Sequence, residues 1–137
     1  MSFLLDSNVV SEIQRGNNCH EDVSAWWSGT DISQVYLSVL VTGEIQRGIE
    51  RLFKKDPARA RRYVSWLESI ILGFEGRLLD IDLDTARIWG KMTAKRTLPL
   101  VDGLLAATAV THDLTLVTRN TKEIKGTGAR YLNPFEP

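Results

Sequence analysis

The chain has 137 residues, 43% of them hydrophobic and 25% charged, a composition typical of one globular domain spanning residues 1–137. Lys plus Arg and Asp plus Glu number 17 each, and this balance excludes a strong overall attraction to nucleic acid or to an acidic membrane. The single cysteine, Cys19, excludes an internal disulfide, and no apolar run approaches the ~20 residues of a membrane span. We therefore expect a cytoplasmic protein without a membrane segment.

The first predicted strand, at residues 1–5, leads directly into a helix. Asp6, Ser7 and Asn8 stand at the junction, and all three are residue types that cap helices. One interpretation of Asp6 is that it only caps this helix. The other is that it binds a ligand, because ligands of open parallel sheets lie just outside the carboxyl ends of the strands.

A second strand is predicted at residues 35–38, followed by an amphipathic helix. Apolar residues recur there at intervals of three and four between positions 41 and 52. Glu44 lies on the shoulder of that apolar stripe. It is either a surface residue paired with Arg47, worth a few tenths of a kcal/mol, or a carboxylate directed to a site.

The remaining pattern alternates helices with short strands. Helices are predicted at 21–28, 57–73 and about 83–96, and strands at 77–81, 114–117 and 129–132. This alternation predicts one parallel sheet covered by helices on both faces. The basic run around the start of the 57–73 helix is open to two interpretations, a surface that follows nucleic-acid phosphates or a solvated helix face.

Residues 98–110 contain one charged side chain, Asp102, in a stretch that predicts a buried helix opened by this residue. Asp102 could cap that helix. If instead it stays ionised in a buried position, it needs a cation, a cluster of hydrogen-bond donors or a metal nearby.

Several acids could gather at one end of the predicted sheet. Asp6, Glu44 and Asp102 would be joined there by Asn120 and Glu123, which follow the fourth strand. Clustered carboxylates raise one another's pKa values unless a cation compensates them. Mg²⁺ or Mn²⁺ is the natural cation for oxygen ligands, and such a site can activate water for displacement at phosphorus.

Four motifs in order resemble a known family. They occupy residues 3–12, 37–48, 101–109 and 116–121, with a matching Asn-Pro-Phe tail at 133–135. The chain resembles the PIN-domain ribonucleases, and among them the VapC and FitB type toxins of bacterial toxin–antitoxin pairs. The resemblance implies a three-layer α/β/α sandwich whose parallel sheet has the order 3-2-1-4-5. Its switch point, between the first and fourth strands, agrees with the site inferred for Asp6 and Asp102.

The resemblance also implies roles for individual residues. Asp6, Glu44 and Asp102 match the family's three main metal-binding acids, and Thr118 matches a hydroxyl that often lies beside them. Within this catalytic set we expect Asp6 and Asp102 to anchor the metal and Glu44 to position or partly deprotonate the attacking water. The chain departs from many members at the fourth acid, where it has Asn120, although Glu123 follows slightly later. An amide supplies no charge, which leaves a second metal ion in question.

The function implied is a Mg²⁺- or Mn²⁺-dependent endoribonuclease acting on tRNA or rRNA loops. The partners implied are a second copy in a homodimer and a VapB-like antitoxin that binds over the active site. Candidates for contact with the RNA are Arg59, Arg62, Lys95 and Arg119. Two alternatives remain: a PIN-like protein that binds RNA or a partner without cutting, and a receiver-like or phosphatase domain. A receiver would need an Asp and a Lys where this chain has Ser38 and Arg119.

Overall fold

Five short parallel strands form the central sheet of the computed structural model, which describes residues 1–137. Their order in the sheet is β3-β2-β1-β4-β5, so β1 is central and pairs with both β2 and β4. This order confirms the predicted topology. The strands are β1 (Phe3–Leu5), β2 (Val35–Ser38), β3 (Leu78–Leu79), β4 (Thr115–Val117) and β5 (Arg130–Leu132).

Seven α-helices flank the sheet and complete the predicted α/β/α architecture. Helix α3 packs against α4, and α5 packs against α6. Two short 3₁₀ turns, at Gly16–Asn18 and Ile32–Gln34, complete the secondary structure. The helices are α1 (Ser7–Ile13), α2 (Glu21–Ser28), α3 (Val39–Phe53), α4 (Pro57–Gly73), α5 (Leu83–Lys95), α6 (Leu100–Thr111) and α7 (Thr121–Ile124).

The core is centred on the two middle strands. Leu4 of β1 and Leu116 of β4 are neighbours in the sheet, and both are fully buried. Strands buried on both faces are continuous apolar runs, which is why these segments could be recognised from sequence. Their carboxyl ends therefore meet at a fixed edge of the sheet, where the chain turns from apolar to polar residues.

Helix α6 differs from its prediction at its first turn. It begins at Leu100, after Pro99, so Asp102 is the third helical residue and does not open the helix. No side chain caps it, and the interpretation of Asp102 as a helix cap is wrong. The first turn is also not wholly buried, since Leu100 is 62% exposed. Asp102 is thus half-buried at the helix start without being used by the backbone.

Two further elements depart from the predicted pattern. Strand β3 has only two residues, shorter than the predicted strand at 77–81. Helix α7, after β4, was not predicted, because one turn of polar sequence has no apolar periodicity. It is held from outside: the Arg96 guanidinium donates to the backbone oxygens of Glu123 at 2.8 Å and Lys125 at 2.6 Å. No helix is long and apolar enough to cross a membrane.

Candidate active site

The candidate site lies at the carboxyl ends of the central strands. Asp6 directly follows β1 and Thr118 directly follows β4, and these two strands are neighbours in the sheet. The point where strand order reverses in such a sheet is where ligands bind. Helices α3 and α6 contribute Glu44 and Asp102, which lie close enough for the Glu44 charge to raise the pKa of Asp102.

Asp6 is almost completely buried, and both of its oxygens accept hydrogen bonds. Oδ1 accepts from the backbone N–H of Ser7 at 2.7 Å, the capping bond of α1. Oδ2 accepts from the hydroxyl of Thr118 at 2.7 Å and from the side-chain amide of Asn8 at 3.4 Å. The interpretation of Asp6 as the cap of α1 is therefore confirmed, and ligand binding stays a prediction. Asp6 also belongs to a polar cluster contributed by distant parts of the chain.

Thr118 joins the two central strand ends. It is fully buried, and its hydroxyl donates to Asp6 while accepting from the backbone N–H of Asn120 at 3.0 Å. A hydroxyl can donate once and still accept, so one side chain fixes the carboxylate and the loop after β4 together. The structure thus places Thr118 beside the first acid, where the family resemblance put it.

Ser7 and Asn8 are two site residues that sequence analysis treated only as helix caps. The Ser7 hydroxyl donates to Oε1 of Glu44 at 3.0 Å, and the Asn8 side-chain oxygen accepts from the backbone N–H of Arg119 at 3.3 Å. Their position directly after the strand-end Asp6 was the available indication. Their partners lie 37 and 111 residues away, so no local pattern could identify them.

Glu44 is half-buried on α3 and faces this cluster. Its Oε1 accepts from Ser7, whereas Oε2 has no hydrogen-bond partner in the protein. The alternative interpretation paired it with Arg47, but no ion pair joins the two residues. Glu44 therefore has one carboxylate oxygen available to a ligand or a water.

The ionised form of Asp102 is disfavoured by its surroundings. Burial raises the pKa of its carboxyl group, and the negative charges of Asp6, Glu123 and Glu44 raise it further. The Asn120 side chain, by hydrogen bonding, opposes the rise. The pKa of Asp102 therefore indicates that four acids share one electrostatic environment. The sequence-predicted set of acids is brought together.

None of these acids is neutralised by a basic side chain. The ion pairs of the molecule are Arg15 with Glu12, His112 with Asp82 and Arg130 with Asp113, all outside the site. A hard divalent cation bound by carboxylate oxygens would supply the missing charge.

The number of side chains that could bind one metal ion is small. No three His, Cys, Asp or Glu side chains are placed to hold a metal ion together. Mg²⁺ commonly takes only one or two carboxylates from the protein and completes its shell with water and substrate oxygens. The donor chemistry of Asp6 and Asp102 fits such an ion.

Two open cavities border the acids. The first, about 410 Å³, runs between α1, α3 and α4 and includes Ser7, Glu44 and Tyr63 in its lining. The second, about 520 Å³, includes Asp102 and Arg119. Asp6 lines neither of them. Each cavity therefore offers room for part of a substrate beside one of the candidate acids.

The predicted RNA-contact residues do not form one surface. Arg119 lines the cavity beside Asp102. Lys95 lines a separate cavity with Lys91 and Arg96. Arg59 and Arg62 are exposed on α4, where the Arg59 guanidinium lies 5.6 Å from the ring centre of Tyr63. Of the four, Arg119 alone shares a cavity with a candidate catalytic acid.

The fold and the acids at the strand ends together indicate the protein family. The profile of the PIN domain matches residues 3–128, and the chain belongs to this family. Within this family, the chain is similar over almost its full length to two bacterial proteins. VapC ribonuclease Y4jK of Sinorhizobium fredii is 32% identical, covering 98% of this chain and 99% of that protein. Toxin FitB of Neisseria gonorrhoeae is 33% identical, covering 97% and 98%.

Solved structures agree over the whole chain. FitAcB from Neisseria gonorrhoeae superposes with a TM-score of 0.89 at 32% identity, covering 98% of this chain and 99% of that one. FitAB bound to an IR36 DNA fragment superposes with a TM-score of 0.85 at 31% identity, covering 97% and 95%. The chain is therefore a PIN domain whose relatives include VapC and FitB toxins.

Proposed function

We propose that this protein is the toxin of a toxin–antitoxin pair and acts as a metal-dependent endoribonuclease. The observation that carries the proposal is the acid set of Asp6, Glu44, Asp102 and Glu123, which no basic side chain neutralises. Its place at the switch point of a PIN fold and the similarity to a VapC ribonuclease support the same activity.

Asp6 and Asp102 would hold the metal ion, Mg²⁺ or Mn²⁺. When bound, such an ion lowers the pKa of water and stabilises negative charge on phosphate oxygens. Asp6 is oriented for this task by Thr118 and Ser7, and its Oδ1, which accepts the Ser7 backbone N–H, keeps a second lone pair for a ligand. Asp102 comes from α6 with no ion-pair partner.

Glu44 would position the attacking water. Ser7 fixes the carboxylate by binding Oε1, which leaves Oε2 to accept a proton from water. The absence of a paired Cys–His or Ser–His nucleophile around the acids agrees with direct attack by water on the phosphodiester. Asn120 stands at the position of the fourth acid but is an uncharged amide, so Glu123 supplies the fourth negative charge.

The substrate we propose is single-stranded or loop RNA, in tRNA or rRNA. A splayed loop exposes its backbone to a recessed site, whereas a duplex does not. Arg119 is the strongest candidate for contact with that backbone, because it lies in the cavity beside Asp102. Arg59, Arg62 and Lys95 remain candidates for contacts further along the strand.

We also propose an antitoxin partner and a homodimer. The FitAB structure, superposing over nearly the whole chain, supports the antitoxin. The homodimer rests on the family resemblance. Co-expression with a small neighbouring reading frame should yield a complex in which cleavage is suppressed.

The decisive experiment is gel analysis of cellular RNA incubated with purified protein in Mg²⁺, Mn²⁺ or EDTA. Discrete fragments should need metal, and Asp102→Asn should abolish them, a loss of about 10² or more in rate. Asp113→Asn is the matched control, because Asp113 is exposed and paired with Arg130 outside the site. Its backbone φ of +55° also suits asparagine.

Two results would count against the nuclease. Equal cleavage by wild type and Asp102→Asn would indicate a contaminating enzyme. No cleavage by a folded, antitoxin-free protein in either metal would favour the alternative, a PIN-like protein that binds RNA or a partner without cutting.

A further inference from the structure

The guanidinium group of Arg119 is held in place without using its hydrogen-bond donors. It lies 4.4 Å from the ring centre of Phe135, a cation–π contact. No carboxylate is within ion-pair distance, and none of its side-chain N–H groups donates to the protein. Five donors are therefore free on an oriented cation.

The other stacked arginines of the molecule serve the fold. Arg77 lies 4.9 Å from the ring centre of Phe74 and donates to two backbone carbonyls. Arg59 lies over Tyr63 and donates to the hydroxyl of the same tyrosine. Arg119 makes the same kind of stack, but its side chain donates no hydrogen bond to the protein. Its donors are therefore available to a ligand.

Both partners of the Arg119 stack are fixed by hydrogen bonds. The backbone N–H of Arg119 donates to Asn8, and the backbone N–H of Phe135 donates to the side-chain oxygen of Asn133 at 3.0 Å. Phe135 is buried, with the edge of His20 on it at a ring-centre distance of 5.2 Å. Little ordering remains to be done when a ligand binds, which favours affinity.

The cavity in front of Arg119 is polar throughout. It combines two cations, Arg119 and Lys122, with acids that form no ion pair with them. The three acids of the lining outnumber its two cations, so an anion would bind by direct contact with the unpaired guanidinium of Arg119 and not through the overall charge of the cavity. The lining residues are Asp102, Arg119, Asn120, Thr121, Lys122, Glu123, Asn133 and Glu136.

We propose that this cavity is a nucleotide subsite in which Arg119, positioned by Phe135 of the C-terminal tail, binds an RNA phosphate next to the scissile one. This inference rests on the proposed ribonuclease function and adds to it a specific phosphate contact and a role for the tail. The planar guanidinium matches two phosphate oxygens at once, which a lysine cannot do. Phe135 is a positioning residue: it acts on RNA only through Arg119.

The first measurement is the affinity for a short, labelled single-stranded RNA of mixed sequence, in EDTA so that binding is read without cleavage. Arg119→Gln should weaken binding about tenfold. It should also reduce the slope of log affinity against log salt by about 0.7, the value for one phosphate contact on a single strand. Arg87→Gln, which removes an exposed arginine from α5, is the charge-matched control and should change neither quantity.

The second measurement separates positioning from packing. Phe135→Leu should weaken RNA binding about threefold, the scale of an exposed cation–π contact, but only when Arg119 is present. In the Arg119→Gln background it should have no further effect on affinity. Its effect on thermal stability should be the same in both backgrounds, and Phe135→Tyr, which keeps the ring, should restore RNA binding.

The outcomes distinguish this inference from the proposed function. If wild type neither binds nor cleaves RNA, the nuclease proposal and the subsite both fail. If wild type cleaves RNA in Mg²⁺ but Arg119→Gln binds RNA as tightly as wild type does, the subsite alone is wrong. If Phe135→Leu weakens binding equally in both backgrounds, the tail does not act through Arg119.

Discussion

The two acids proposed to hold the metal ion stand in opposite environments. Asp6 is buried, and the protein itself satisfies it with bonds from Ser7, Asn8 and Thr118. Asp102 has no ion pair, and burial and neighbouring acids raise its pKa. The Asp6 half of the site is thus assembled by folding, whereas the Asp102 half carries charge that folding leaves uncompensated. A site built this way is oriented in advance on one side and has an electrostatic demand for a cation on the other.

Removing the hydroxyl that holds Asp6 is the strongest way to break this contrast. Thr118→Val keeps the shape of the side chain but leaves Asp6 without its 2.7 Å donor and the Asn120 N–H without its acceptor. We expect a loss of about 2 kcal/mol in the free energy of unfolding, because buried partners are left unsatisfied. Urea denaturation in EDTA measures it.

Strand β4 offers a matched control for that substitution. The hydroxyl of Thr115 is also buried, but it has no hydrogen-bond partner. Thr115→Val should therefore be neutral or slightly stabilising. Equal losses at both positions would mean that the cost comes from the threonine-to-valine exchange itself and that Thr118 does not support Asp6.

Changing each acid to its amide should give opposite effects on stability in EDTA. Asp6→Asn retains helix capping but presents an NH₂ group where Oδ2 accepted two donors, and it should cost about 1 kcal/mol. Asp102→Asn removes a negative charge from among like charges and should gain about 0.5 kcal/mol. Both should abolish metal-dependent cleavage.

Thermal and urea unfolding of the two variants tests this contrast directly. A loss of stability in both would show that Asp102 is supported by the protein much as Asp6 is. In that case the picture of a satisfied half and an uncompensated half would be wrong.

The sequence predicted the strand-end acids better than the contacts that orient them. Asp6 could be placed because β1 and α1 each have a clear local pattern. The alternation of strands and helices predicted a parallel sheet, which put Asp102 at the same end of the sheet as Asp6. The Ser7–Glu44 bond could not be predicted, since the two residues are 37 positions apart. Such contacts depend on how helices pack, which periodicity does not specify.

The two local errors, at α6 and at α7, have different physical causes. Helix α6 begins at Leu100, two residues before Asp102, because the preceding Pro99 suits a helix start. Helix α7 is one turn long and depends on Arg96, directly after α5, which binds the backbone oxygens of Glu123 in α7 and of Lys125 just after it. A turn stabilised by a residue 27 positions away has no signature of its own.

The pH dependence of stability is the smallest effect, and its sign is fixed by the pKa of Asp102. An aspartate in the unfolded chain loses its proton at a pKa of about 3.9. Because the pKa of Asp102 is raised in the folded protein, the folded state still holds this proton at pH values somewhat above that. The stability linked to this proton is fully present at lower pH and is lost as pH rises through the native pKa. The stability gain of Asp102→Asn over wild type should therefore grow with pH across that window and then level off.

Asp31 provides a control in which the stability difference between variant and wild type should change with pH in the opposite direction. Hydrogen bonds from the hydroxyl and the backbone N–H of Ser33 lower its pKa, so its ionised form stabilises the fold above the ordinary value. That stability is lost as pH falls through the native pKa, and the cost of Asp31→Asn should shrink on acidification. Urea denaturation across pH in EDTA gives both curves. If Asp102→Asn follows the Asp31→Asn curve, folding already compensates Asp102, and the site has no demand for a cation on that side.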